Sequence, residues 1–297
     1  MARVEIFDDR TCRLGEGPYY DERTDRVWWV DILGRRLLWR TFGAATAGEV
    51  VVGAHVGAVV PDTSGGLVVC LPLGPAHLPV APDAGEVTPT PLAHYPPSPA
   101  SWPALRSNDA KADPSGRLWL GTMAYDETPG AGALYRLDPG ATRLRTMVER
   151  VTISNGLGWS PTEPRMYYID TPTRRVDVFD YDAGTGEIAN RRPFAVVDRG
   201  HPDGLCVDAE GGVWVALWNG SAVLRFSPTG ELERTVPVPA PRVTSCTFAG
   251  PDLDTLVITT AASETDDGAG GRTYAYRLGD VVGLPVHRFA LTPEPSS

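Results

Sequence analysis

The 297-residue sequence predicts an all-β chain folded as a six-bladed β-propeller. Three observations lead there. Helical periodicity is hard to find, while short runs rich in Val, Trp, Tyr and Leu recur between Gly/Pro/Asp turns, as strands do. The 28 Pro and 32 Gly interrupt the chain too often for a long helical bundle, yet 42% hydrophobic content suffices for a large core. A turn followed by an aromatic strand repeats in "DERTDRVWWVD", "DPSGRLWLGT", "SPTEPRMYYID" and "DAEGGVWVAL". Two weaker copies, "PDTSGGLVVCL" and "AGPDLDTLVITT", complete a set of six. Successive copies start roughly 40 to 50 residues apart, the length of one four-stranded blade.

Taken in order, "RVEIFDD" near the start supplies an outer strand to the blade containing "TYAYRL" and "VHRFAL", which closes the ring. Trp28 marks the first blade, and Cys70 falls in the second. The Pro-rich stretch that follows must hold blade strands in its first half. Its second half, Tyr95 to Leu105, reads as a long inter-blade loop near one mouth of the channel. Trp119, Tyr167 and Trp214 mark blades three to five. The whole of 1–297 reads as one domain without a linker.

A formal charge of −10 and the lack of any Lys/Arg cluster exclude nucleic acid and an anionic membrane as main partners, since both need a concentrated basic face. The N-terminus reaches acidic residues without the apolar stretch of a signal peptide, and no segment has the roughly 20 apolar residues of a membrane span. A cytoplasmic location is therefore expected. Cys12, Cys70, Cys206 and Cys246 form no C-x-x-C pair and read as reduced, mostly buried thiols.

Aligning the repeats on their aromatic strand exposes a second regularity. About a dozen residues before Trp28, Trp119, Tyr167 and Trp214 stand Glu16, Asn108, Asn155 and Asp203, each at the start of an innermost strand. The weak copies place Gly57 and Ser245, or a neighbour, at this phase. Innermost strands line the central channel and begin at the same end, so four oxygen-bearing side chains converge on one mouth. Asn and Asp also favour turns, which would explain any one of them singly. Packed together, the two carboxylates would repel unless something cationic sat among them. A divalent cation resolves this, and an all-oxygen set suits Ca, Mg or Mn.

The segments "LGEGPYYDERTDRVWWVDI", "RSNDAKADPSGRLWLGTM", "SNGLGWSPTEPRMYYIDT" and "HPDGLCVDAEGGVWVALWNG" resemble the signatures of the senescence marker protein/gluconolactonase family, which includes regucalcin. The resemblance covers essentially the whole chain. It implies a six-bladed propeller that holds one divalent cation (Ca, Zn, Mn or Mg) and hydrolyses a sugar lactone. It further implies Glu16, Asn155 and Asp203 as metal ligands, Asp203 also as general base, and Arg106 and Asn108 as substrate-binding residues. Asp126 occupies the place of an acidic residue that contacts sugar hydroxyls, a role Glu127 takes if the loop shifts. Two departures concern the sugar bound. Ser107 stands where the family commonly has an aromatic, and Ala110 where it has glycine. Blade two is also atypical at "GPAHLPVAP".

Lactone hydrolysis needs a polarised carbonyl, an attacking water and oxyanion stabilisation, which a cation, Asp203 and the Arg106 fork would supply. A Ser-His-Asp hydrolase is disfavoured, because G-x-S-x-G is absent and the five histidines are scattered. "SETDDGAGG" lacks the ligand alternation of a calcium loop and reads as an acidic hairpin. Trp28, Trp29, Trp119 and Trp214 are expected between blades, and Trp102 and Trp218 at the pocket rim. Two other activities fit the same ligands: a non-catalytic calcium-binding regulatory protein, and an organophosphate or other ester hydrolase.

Overall fold

In the third and fifth repeats a buried aspartate builds the turn before the aromatic strand. Asp113 accepts the backbone N–H groups of Ser115 and Arg117 at 2.9 Å each, and the Trp119 indole N–H at 2.9 Å. Asp208 does the same with Glu210 (3.0 Å), Gly212 (2.7 Å) and the Trp214 indole (2.8 Å), and also receives Arg225 Nε at 2.8 Å. Both aspartates are fully buried, so these donors replace the water they lose. In these two repeats the tryptophan seen in the sequence is thus the partner of its own turn.

The computed structural model describes residues 3–79, 83, 85–97, 103–263 and 268–292. Their strands form six sheets, five four-stranded and one five-stranded, and no α-helix occurs among them. The innermost strands of blades one to six are Gly15–Asp21, Ala58–Pro61, Leu105–Ala112, Ser154–Trp159, His201–Val207 and Val243–Ala249. Each lies against its neighbours around the ring, and Gly15–Asp21 contacts Val243–Ala249 to close it. The fold is a six-bladed β-propeller.

Closure uses the N-terminal strand as expected. Glu5–Asp8 pairs antiparallel with Thr273–Arg277 and completes blade six. The expectation for "VHRFAL" is not met. With its edge occupied by Glu5–Asp8, blade six has no place for this segment, which instead crosses to blades two and three. There Phe289 donates its N–H to Pro61 O at 2.9 Å and accepts Thr63 N–H at 3.0 Å, while Ala290 donates to Gly116 O. The Phe289 ring is buried in the cluster shared by those blades.

The first half of the Pro-rich stretch does carry blade strands, Gly74–Leu78 and the short Thr90–Pro91. Residues 98–102 of the expected inter-blade loop, Trp102 included, lie outside the described residues, as do 264–267 of the acidic segment. Trp28, Trp29, Trp119 and Trp214 are all buried. Trp119 packs with Leu157 and Tyr168 of blade four, and Trp214 with Val243 and Phe248 of blade six, so both fill the space between blades. The four cysteines are free thiols, Cys206 half-buried and the others buried.

Neighbouring inner strands approach so closely that side chains are excluded at specific points. A Cβ on Gly156 would meet the Asp203 carbonyl oxygen at 2.7 Å, and one on Gly204 the Ser245 hydroxyl at 2.2 Å. On Gly57 it would meet the Ser107 backbone at 2.5 Å. These glycines set the spacing between blades at the mouth of the channel.

Candidate functional site

The innermost strands of blades one, three, four and five share one irregularity. Across each pairing two residues oppose one: 17–18, 108–109, 155–156 and 203–204. A bulge of this kind re-aims the side chains at its start. Asn108, Asn155 and Asp203 are the first residues of their bulges, and Glu16 immediately precedes the one in blade one. The shared phase in the sequence therefore corresponds to a shared backbone distortion.

Glu16, Arg106, Asn108, Asn155 and Asp203 line one cavity of about 430 Å³ with Glu127, Thr171, Arg174, His201, Trp218 and others. All five are buried. The two asparagines are used differently. Asn108 accepts Arg106 Nη1 on its Oδ1 at 2.7 Å and donates Nδ2 to Ser154 O at 2.9 Å, so both ends are engaged. Asn155 donates Nδ2 to Thr171 Oγ1 at 3.0 Å, but its Oδ1 is buried without a partner. Asp203 Oδ1 is likewise buried and unpartnered. Glu16 Oε2 accepts the N–H of Gly17 at 3.0 Å.

Burial pushes the Asp203 carboxyl up to about 8, with Asp109 adding to the rise and the Asn155 side chain and Arg106 opposing it. Burial also raises Glu16 well above the usual carboxylate range, helped by the charges of Asp203 and Asp109. Left alone, the two carboxylates cannot both ionise cheaply. Arg106 is held below its ordinary value by burial, against the pull of Glu16.

Of the two acidic residues after Met123, the turn places Glu127 in the cavity wall. Asp126 is not among the lining residues. It is exposed, and its Oδ1 accepts the Thr128 N–H at 3.1 Å and hydroxyl at 2.8 Å. Glu127 takes a left-handed backbone, φ 57°, within this turn. Trp218 lines the cavity, and so does His201. Sequence reasoning missed Thr171, Arg174, Asn219 and Asp109. The first three sit on turns between second and third strands, beyond the aromatic strands from which the count runs back. Asp109 follows Asn108 in the bulge, and its buried Oδ2 has no partner.

The residues present suit a hard cation. Among the described residues no three His, Cys, Asp or Glu side chains group as metal ligands. The candidate set instead joins two carboxylates to a carboxamide oxygen. Buried oxygens without donors on Asn155 and Asp203, beside the Glu16 carboxyl, whose charged form burial disfavours, are what a divalent cation would satisfy.

Residues 14–262 match the SMP-30/Gluconolactonase/LRE-like region. The chain belongs to this family. Within the family it is 35% identical to the putative sugar lactone lactonase YvrE of Bacillus subtilis (strain 168), covering 86% of each chain. It superimposes on a luciferin-regenerating enzyme with a TM-score of 0.87 and 32% identity, covering 97% of this chain and 99% of that one. A calcium-binding protein, regucalcin, from Agrobacterium tumefaciens gives a TM-score of 0.85 at 28% identity, covering 95% and 96%. No helix among the described residues is long and apolar enough to cross a membrane.

Proposed function

We propose that this chain hydrolyses a sugar lactone to the open-chain sugar acid, with one divalent cation held by Glu16, Asn155 and Asp203. The observation that carries this reading is the pair of buried, unpartnered oxygens, Asn155 Oδ1 and Asp203 Oδ1, in the same cavity as the Arg106 guanidinium. The likeness to YvrE supports the lactone, and the likeness to a calcium-binding regucalcin supports the divalent cation. Bound there, the cation supplies Lewis acidity to a lactone carbonyl and offsets negative charge developing on its oxygen.

The chain's own residues do the rest. Asp203 takes a proton from the attacking water on a free carboxylate oxygen and returns it to the ring oxygen as the acyl C–O bond breaks. A cation lowers the basicity of a carboxylate it touches. Burial, which raises the proton affinity of Asp203, acts in the opposite direction. Arg106, fixed by Asn108 Oδ1 at 2.7 Å and Ser107 O at 3.0 Å, presents its remaining N–H groups to the substrate oxygens. Glu127 accepts from sugar hydroxyls.

The deciding experiment incubates purified protein with a panel of aldonolactones, aryl esters and organophosphates, with and without chelator. Chelator-sensitive turnover of aldonolactones supports the proposal. Stoichiometric cation binding without any turnover would move the reading to a calcium-binding protein, and preferential turnover of the other esters would move it to another hydrolase.

A further inference from the structure

The cavity that holds the proposed lactone site has one strongly charged group that the chemistry above does not use. Arg174 lines its wall at the exposed edge, whereas Arg106 lies buried at the base. Arginines elsewhere in the chain are commonly committed to carboxylates, for example Arg36 to Glu49 at 2.8 Å and Arg225 to Asp208 at 2.8 Å. Arg174 has no carboxylate partner among the described residues. Its guanidinium makes one contact, Nη2 to the backbone oxygen of Asp198 at 3.1 Å. A guanidinium carries five N–H donors in a planar fork, so most of the fork is free.

That fork is held in register with the proposed cation ligands. Arg174 closes the 3₁₀ turn Thr171–Thr173, with its N–H donating to Thr171 O at 3.1 Å and its own carbonyl accepting Val197 N–H at 2.9 Å. Thr171 is also the residue whose hydroxyl receives Asn155 Nδ2. One short turn thus fixes both the orientation of the Asn155 amide and the position of Arg174.

The charges of the cavity lining do not cancel at this end. A divalent cation balances Glu16 and Asp203, after which Arg106 and Arg174 face a single carboxylate, Glu127, leaving an excess of about one positive charge. A protein whose formal charge is −10 repels anions in general, so a local cationic rim is a means of admitting one.

We propose that the substrate is an anionic sugar lactone, bearing a carboxylate or phosphate at the end of the sugar remote from the lactone carbonyl, and that Arg174 receives that group. This rests on the lactonase reading above and adds the substrate's charge to it. Arg174 is then a specificity-determining residue: paired oxygens of a carboxylate or phosphate accept two N–H groups of the guanidinium fork, and a neutral hydroxymethyl group cannot.

The test compares three lactones of the same sugar, with the terminal carbon as a neutral hydroxymethyl, a carboxylate or a phosphate ester, on wild type and Arg174→Gln. In parallel, calorimetry measures binding of the three corresponding open-chain acids to the cation-loaded protein. The expected result is a kcat/KM at least about tenfold higher for one acidic lactone, carried by KM, that Arg174→Gln abolishes while leaving the neutral lactone unchanged. The better acidic arm identifies carboxylate or phosphate as the recognised group. Equal or better turnover of the neutral lactone, or a loss in Arg174→Gln that is the same for all three, overturns the proposal and leaves the lactonase reading standing. Arg174-dependent binding of an acidic product without turnover of any lactone does the reverse: the anion site stands and the lactonase reading falls.

Discussion

Asn155 points its amide nitrogen at Thr171 Oγ1, 3.0 Å away, and thereby turns its carboxamide oxygen into the cavity, where it has no protein partner. The hydroxyl thus selects which end of the amide faces the proposed cation, as outer partners of metal ligands do. Thr171→Val keeps the shape of the side chain and removes the hydroxyl. Cation affinity is expected to fall about 10- to 100-fold, the usual effect of losing such a partner. Calorimetric titration of the stripped variant checks this, and an unchanged affinity would separate Asn155 from cation binding.

Gly156 lets blades four and five meet. A methyl group there would lie 2.7 Å from both the Asp203 carbonyl oxygen and the Leu205 nitrogen, which are backbone atoms that cannot rotate away. Gly156→Ala is expected to cost about 1–3 kcal/mol of stability by overpacking. Because Asn155 and Asp203 flank the displaced contact, it should also weaken cation binding in protein that remains folded. Urea unfolding and titration on the same sample report both effects.

The buried carboxyls give the cation-free protein a distinctive pH dependence. Asp203 sits at about 8 in the folded chain, against about 3.9 when unfolded. Between those values the folded state keeps a proton that the unfolded state has lost, so stability falls as pH rises through the window. Glu16, also raised, acts in the same direction. Urea midpoints recorded in chelator from pH 5 to 8 should decline, and Asp203→Asn should flatten the slope. A midpoint that climbs over this range would contradict the burial argument. Cation uptake should release protons over the same range.

Arg106 is buried and reaches Asn108 and Ser107 through a single nitrogen, Nη1. Arg106→Ala is expected to lower kcat/KM on the best lactone about tenfold or more, and Arg106→Lys to recover little, since an ammonium cannot reproduce a two-pronged contact. Unchanged kinetics with intact cation affinity would remove Arg106 from the substrate contacts.

What could be read from the sequence was what the repeat repeats. Glu16, Asn108, Asn155 and Asp203 stand at one distance from their aromatic strands because the same bulge recurs in four inner strands, so counting found them without knowledge of the bulge. The buried tryptophans were legible for the same reason. Thr171 and Arg174 were not, since they follow the aromatic strand and so lie outside the positions counted back from it; the equal-length turn of blade one, 32–35, carries Ile32 in place of Thr171. Choosing between Asp126 and Glu127 depends on one left-handed residue in an exposed turn, which composition does not specify. "VHRFAL" was expected within blade six, but Glu5–Asp8 and Thr273–Arg277 complete that sheet without it, and Phe289 docks on blades two and three, a long-range contact that local pattern does not specify. Blade two was hard to read because its outer strand, Thr90–Pro91, is only two residues long.

The account rests on a single cation among Glu16, Asn155 and Asp203, and titration of the metal-stripped protein with Ca²⁺, Mg²⁺, Mn²⁺ and Zn²⁺ tests it most directly. Wild type is expected to bind one equivalent of at least one of these ions more tightly than millimolar, and Glu16→Ala to lose that binding while retaining the wild-type circular dichroism. No binding tighter than millimolar for any of the four, or equal binding by the folded Glu16→Ala protein, would contradict it.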